Sequence, residues 1–154
     1  MTYRHVRHSG TLTVDAPPDQ AFPLFTAPGE RLWVPGWQPR VVHGGDGRQR
    51  GAVFETDHDD ERTIWVVADF DPRNRYARYV RVSPGSRAGT VEVRVRPAGG
   101  GSAVEISYDL AALGAEGNAV IEAFDAAAFE AMLAEWARLI RTASIDFGRI
   151  EELL

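Results

Sequence analysis

The chain has 154 residues, a formal net charge of −5, no cysteine and no lysine. Without cysteine there are no disulfides, thiolate nucleophiles, cysteine zinc sites or iron–sulfur ligands. Without lysine there is no Schiff-base or Walker-type phosphate lysine, and the acidic balance argues against nucleic acid or an anionic membrane as the main partner.

The length predicts one domain over residues 1–154, large enough to bury a real core. No apolar run approaches the ~20 residues of a membrane helix. The opening "MTYRHVRHSG" has no apolar stretch of the secretory kind, so a cytoplasmic location is the expectation.

In chain order, residues 11–14 alternate in polarity and predict a strand. Asp15 and the following prolines end it. Pro17 or Pro18 then opens a helix with Ala21, Phe22, Leu24 and Phe25 on its apolar side, kept short by Pro23 and Pro28. "ERLWVPGWQP" at 30–39 places Trp33 and Trp37 around a Pro-Gly turn signal, which raises the question of what shelters two large aromatics in a loop. "RVVH" at 40–43 predicts a brief strand, and the glycine-rich stretch after it a flexible connection.

Five further strands follow, over 52–57, 62–70, 75–82, 90–96 and 103–110. Turn signals of hairpin length separate them, which indicates an antiparallel meander. In the last two, Val91, Val93 and Val95 oppose Glu92, Arg94 and Arg96, and Ile106 and Tyr108 oppose Glu105 and Ser107, so one face is buried and the other wet. Residues 118–144, free of Gly and Pro, predict one helix about 40 Å long. Its apolar stripe takes in Ile121, Ala128, Met132, Trp136, Leu139 and Ala143, flanked by Phe129 and Ile140. The tail from residue 145 either continues that helix or forms a separate short turn.

This order of elements resembles the α+β helix-grip fold of the START / birch-pollen-allergen (SRPBCC) superfamily, in particular its polyketide cyclase/dehydrase group. The resemblance runs over residues 10–144 and rests on "TLTVDAPPDQAFPLF", "GAVFETD", "FDPRNRYARYVRVSPG", "GTVEVRVRPAGGGSAVEISYDLAAL" and the final helix. It implies a curved antiparallel sheet wrapped around the long helix, with an apolar cavity between them that holds lipids, sterols, polyketides or plant hormones in other members. The expected function is therefore binding of an apolar or aromatic, lipid-like or polyketide-like small molecule. The alternatives are a cyclase/dehydratase-type enzyme and an interaction module of the chaperone-ATPase-activator kind. The oligomeric state is open between monomer and homodimer.

Within that frame, Trp33 and Trp37 either gate the cavity or fill the core. On a helical wheel Asp125 falls amid Ile121, Ala128, Met132 and Trp136, which makes it a candidate acid, base or ligand anchor. Parity puts His8 on the inward face of the first strand with Leu12 and Val14, unless Gly10 introduces a bulge. Tyr79 and Arg81 share one strand face, but alternation alone does not say whether that face points inward, and Trp65 carries the same ambiguity against Ile64 and Val66. Tyr108 completes the polar candidates, and Phe54, Phe124, Met132 and Trp136 are the candidate apolar walls. "DHDDE" at 57–61 lacks the glycine and spacing of a calcium loop. The glycine-rich segment lacks the context of a phosphate loop, and no serine sits in a nucleophile elbow. Neither a metal site nor a cofactor is expected.

Overall fold

The computed structural model describes residues 2–154. Seven strands form one antiparallel sheet: β1 (His5–Val14), β2 (Arg40–His43), β3 (Val53–His58), β4 (Glu61–Asp71), β5 (Tyr76–Ser83), β6 (Arg87–Ala98) and β7 (Gly101–Ala112). Their order across the sheet is β1-β7-β6-β5-β4-β3-β2, so β2 to β7 form a meander and β1 closes onto the last strand. The short helix α1 (Pro18–Ala21) runs into a 3-10 turn over Phe22–Phe25, and a second 3-10 turn spans Gly29–Leu32. With the C-terminal helix laid across the inner face, this is the helix-grip fold. No helix among the described residues is long and apolar enough to cross a membrane.

β1 begins at His5, earlier than the sequence predicts, and pairs with β7 without interruption, with His8 opposite Tyr108 and Leu12 opposite Val104. Gly10 makes no bulge. It serves helix packing instead: a Cβ there would come within 2.7 Å of the Leu133 side chain, so the missing side chain lets the helix lie close to the strand. The register instead shifts between Val41 and His43 in β2 and between Val67 and Asp69 in β4.

The C-terminal helical region departs from the sequence expectation. One helix over 118–144 is in fact two: α2 (Ala115–Ala123) and α3 (Ala126–Thr142). Phe124 leaves helical geometry, and Asp125 becomes the N-cap of α3, its carboxylate accepting a 2.8 Å bond from the Ala128 N–H. A short carboxylate reaching a free backbone N–H offers the chain an alternative to continuing the helix, and here that alternative prevails. His8 holds the break from the other side, donating from Nε2 to the Phe124 carbonyl at 2.7 Å.

The restart turns the apolar stripe. Phe129, Leu133 and Ile140 are its buried line, Met132, Trp136 and Leu139 lie along its side half-covered, and Ala143 is exposed. The tail forms a 3-10 turn (Phe147–Arg149) and a last short helix, α4 (Ile150–Leu153), with Ile150 buried.

Asp125→Ala is expected to lower stability by about 1 kcal/mol, with Asp125→Asn keeping most of the lost amount, because only the cap acceptor is at stake. Urea unfolding midpoints of the two variants measure this. Equal losses in both would show that the cap bond does not carry the restart.

Candidate functional site

The segment from Phe22 to Trp37 builds one wall of the interior. Thr26 Oγ1 donates to the Pro23 carbonyl (2.6 Å) and accepts from the Gly29 N–H (3.2 Å), folding the two 3-10 turns back on each other. Gly29 is required there, since a Cβ would fall 1.7 Å from the Pro23 carbonyl oxygen. The two indoles then fasten the segment: Trp33 Nε1 donates to the Leu24 carbonyl and Trp37 Nε1 to the Ala27 carbonyl, each at 2.8 Å.

The two tryptophans divide between the readings left open by the sequence. Trp33 is 5% exposed and sits in the core against Phe25 and Trp136. Trp37 is half-buried and packs edge-on to Phe54 and Trp65 at the mouth of a cavity.

That cavity, of about 330 Å³, opens between the 30–37 segment, the β3–β4 hairpin and α3. Its mouth is lined by Val34, Trp37, His58, Asp59, Glu61 and Arg87. Deeper in, Glu30, Trp65, Tyr108 and Trp136 line both the cavity and a narrow extension of about 30 Å³ that ends against Phe25, Phe54 and Tyr79. The strand faces are thereby assigned: Ala77, Tyr79, Arg81 and Ser83 point inward on β5, and Thr63, Trp65 and Val67 on β4. Phe54 and Trp65 stack nearly parallel, centroids 5.8 Å apart, as directly opposed cross-strand partners.

Three larger grooves lie on the outside. One, of about 410 Å³, is bordered by the ion pairs Arg75–Asp19 and Arg48–Glu151, a second, of about 370 Å³, lies over Tyr76, Glu92 and Arg94 on the outer sheet face, and the third, of about 530 Å³, runs between β1 and α3. None contains an isolated buried charge. The interior cavity does.

Glu30 is the residue the sequence reading passed over. Its backbone is fixed at the second 3-10 turn, donating to the Thr26 carbonyl and accepting from Val34 at 2.8 Å. Its carboxyl lines the cavity and has no hydrogen-bond or ion-pair partner among the described residues. Burial pushes its pKa up to about 8, which leaves it mostly protonated at neutral pH. A signal was present: Glu30 is the single acid between Asp19 and Asp46, in a segment that carries Phe22, Phe25, Trp33 and Trp37.

Tyr108, with its hydroxyl lining the same space, is pushed up to about 12 by burial. Tyr79 is pushed above the usual tyrosine range, by burial first and by Glu30 second, and donates its hydroxyl proton to the Phe25 carbonyl at 2.7 Å.

Asp125 and His8 lie elsewhere. Asp125 is exposed at the α3 cap, so the wheel that placed it among apolar residues fails with the helix that wheel assumed. His8 faces inward as parity predicts, but it stacks on Phe129 at 5.2 Å and meets Phe124 edge-on, closing the helix break outside the cavity lining. Phe124 belongs to that cluster, and Met132, half-buried on α3, is likewise outside the lining. Among the described residues no three metal-ligating side chains converge; "HDDE" is a tight hairpin with Asp59 and Asp60 at φ 53° and 61°.

Residues 5–143 match the family model described as polyketide cyclase / dehydrase and lipid transport. No curated protein matches the chain in sequence. Among solved structures it is similar to Ara h 8.0201 (TM-score 0.64, 13% identity, 90% of this chain and 99% of that one). It is also similar to truncated norcoclaurine synthase from Thalictrum flavum (TM-score 0.63, 16% identity, 91% and 96%). A further norcoclaurine synthase structure from that organism, at 15% identity, holds dopamine and hydroxybenzaldehyde (TM-score 0.60, 94% of this chain and 90% of that one). DynU16, from the dynemicin biosynthetic locus, matches at TM-score 0.61 and 17% identity over 88% of this chain, which spans about half of DynU16. At these identities the likeness is one of fold.

The sign of the Glu30 effect on stability follows from its raised pKa. Between the ordinary 4.5 and about 8 the folded protein holds a proton that the unfolded chain has released, so stability falls as pH rises through this window. Water reaching the carboxyl through the mouth keeps the effect below the full shift. Glu30→Gln is expected to match the wild type near the low end of the window and to exceed it by about 1–3 kcal/mol above the high end. Urea denaturation across the pH range reads this directly, and parallel curves for the two proteins would refute it.

Proposed function

This chain belongs to the polyketide cyclase/dehydrase and lipid transport family, and we propose that it binds a small aromatic or apolar molecule in the cavity between sheet and α3. The observation that carries the reading is an unpartnered, largely neutral carboxyl inside aromatic walls. Trp37, Trp65 and Trp136 supply flat apolar surface, and Glu30 and Tyr108 supply polar atoms with no protein acceptor to satisfy. A volume of about 330 Å³ falls at the low end of small-molecule pockets, which favours a compact ring system over a sterol or a long acyl chain. The dopamine and hydroxybenzaldehyde held by the similarly folded norcoclaurine synthase are ligands of that size class.

Glu30 also supports a second reading, a proton-transfer enzyme of the cyclase/dehydratase type. A carboxyl titrating near 8 can give a proton to a carbonyl or departing hydroxyl oxygen and take one back within the ordinary pH range. The chaperone-activator reading draws no such support. The outer sheet face carries the Arg96–Glu105 ion pair (2.8 Å) and Arg94 over the Tyr76 ring, not an apolar patch.

A thermal-shift series of naphthols, flavonoids and anthraquinones beside fatty acids and sterols tests the binding reading. A ligand at 100 times its Kd stabilises by about 2.7 kcal/mol, or roughly 5–11 °C for a domain of this size. Compact aromatics are expected to give such shifts, and Val34→Phe, which fills the mouth, is expected to abolish them while leaving the unliganded Tm within a few degrees. Shifts that persist undiminished in Val34→Phe would place binding elsewhere, and no shift with any aromatic would remove the reading.

A further inference from the structure

We propose that Arg81 forms a cationic subsite in this cavity and that the ligand it selects is an aromatic carboxylic acid, an inference that rests on the cavity being a small-molecule site.

Cations outnumber anions at this part of the cavity wall. Arg81 and Arg87 share one acid, Glu61. Arg87 takes both of its oxygens, at 2.8 and 2.9 Å, while Arg81 stands 3.6 Å away. The neighbouring acceptors left to Arg81 are neutral hydroxyls, Ser83 Oγ at 3.0 Å and Thr63 Oγ1 at 3.5 Å, both approached from Nη2. Its Nε is buried with no acceptor at all, and Nη1 also has none among the described residues. The three side chains together carry one uncompensated positive charge, with Arg81 only 12% exposed.

A cation placed this way is costly unless something completes its coordination. The Trp65 ring, 5.1 Å from the guanidinium carbon, attracts the charge but accepts none of the N–H groups in the guanidinium plane. Other titratable groups do not supply the missing anion. Asp59 lies on the exposed hairpin turn with its carboxylate near His58, and Glu30, held mostly neutral, is not among the charges acting on Arg81. Burial in fact holds the Arg81 guanidinium below the usual arginine range, with the Glu61 contribution too small to reverse it.

The unfilled partner is therefore a monoanion presented from the cavity. A carboxylate suits a guanidinium edge better than a point cation would require, because its two oxygens and the guanidinium lie in planes that can coincide. A ring attached to that carboxylate then runs along Trp65 and Trp136 toward Glu30 and Tyr108, which line the same space.

Isothermal titration with naphthoic acid and its neutral isostere naphthamide, at neutral pH and low salt, tests this. The wild type is expected to bind the acid at least about tenfold more tightly, the usual size of a hydrogen bond to a charged group. Arg81→Met should erase that preference while leaving naphthamide within about twofold. Glu61→Gln, which removes the competing anion, should tighten the acid several-fold. Because Arg81→Met can fail to fold, its circular dichroism is checked first. If it is unfolded, the Glu61→Gln arm and a salt titration decide, the acid alone weakening as salt rises.

Equal binding of acid and amide by the wild type, or equal weakening of both in Arg81→Met, would overturn the subsite and leave the aromatic cavity standing. Acid affinity unchanged or weakened in Glu61→Gln would also count against it. Failure of both probes to bind the wild type would overturn the subsite together with the cavity reading.

Discussion

The bonds from Trp33 Nε1 to the Leu24 carbonyl and from Trp37 Nε1 to the Ala27 carbonyl hold the one part of the interior wall that is not regular structure. Residues 22–37 run through two 3-10 turns and a Pro-Gly break, and such a segment has few backbone bonds of its own to fix it. An indole offers a single donor at the end of a large apolar plate, so one bond orients the whole ring. Trp33 is thereby set against Trp136 on α3, and Trp37 against the Phe54–Trp65 stack on the sheet. The segment is clamped between helix and sheet while remaining open enough to leave Glu30 facing a cavity. Tyr79 adds a further tie to the sheet, donating its hydroxyl proton to the Phe25 carbonyl at 2.7 Å.

Most of the fold was legible because its signals are local. Turn residues between alternating runs gave the meander, and Val91, Val93 and Val95 gave the inner face of β6 as the structure has it. The break between α2 and α3 was harder to see, since it contains neither glycine nor proline. It depends on a carboxylate–amide bond at Asp125 and on a histidine more than a hundred residues away that accepts the duty of satisfying the Phe124 carbonyl. Treating 118–144 as continuous put Asp125 in the interior and made it a candidate acid. The carboxyl with the interior position was Glu30, whose placement follows from a tertiary fold-back around Gly29 and Thr26 that no periodicity encodes. The same limit applied to β5: both faces carry aromatic and basic residues, and only pairing with β4 and β6 shows that Tyr79 and Arg81 point in.

The electrostatics of the cavity show why such sites resist reading from composition. Within one aromatic enclosure a carboxyl is held mostly neutral and a guanidinium stays charged, although both are buried and neither has an adequate protein partner. The difference is chemical. A carboxyl can escape the desolvation penalty by keeping its proton within the ordinary pH range, whereas arginine loses its proton only far above it. Burial therefore converts Glu30 into a neutral donor and leaves Arg81 as a charge in search of a partner. The space between them is bounded by a mostly neutral acid on one side, a cation on the other and tryptophan surface along its length. Those two polar ends are not interchangeable, so the cavity has a direction. That polarity rests on this chain's own side chains, because the likeness to its structural neighbours at 13–17% identity is one of fold alone.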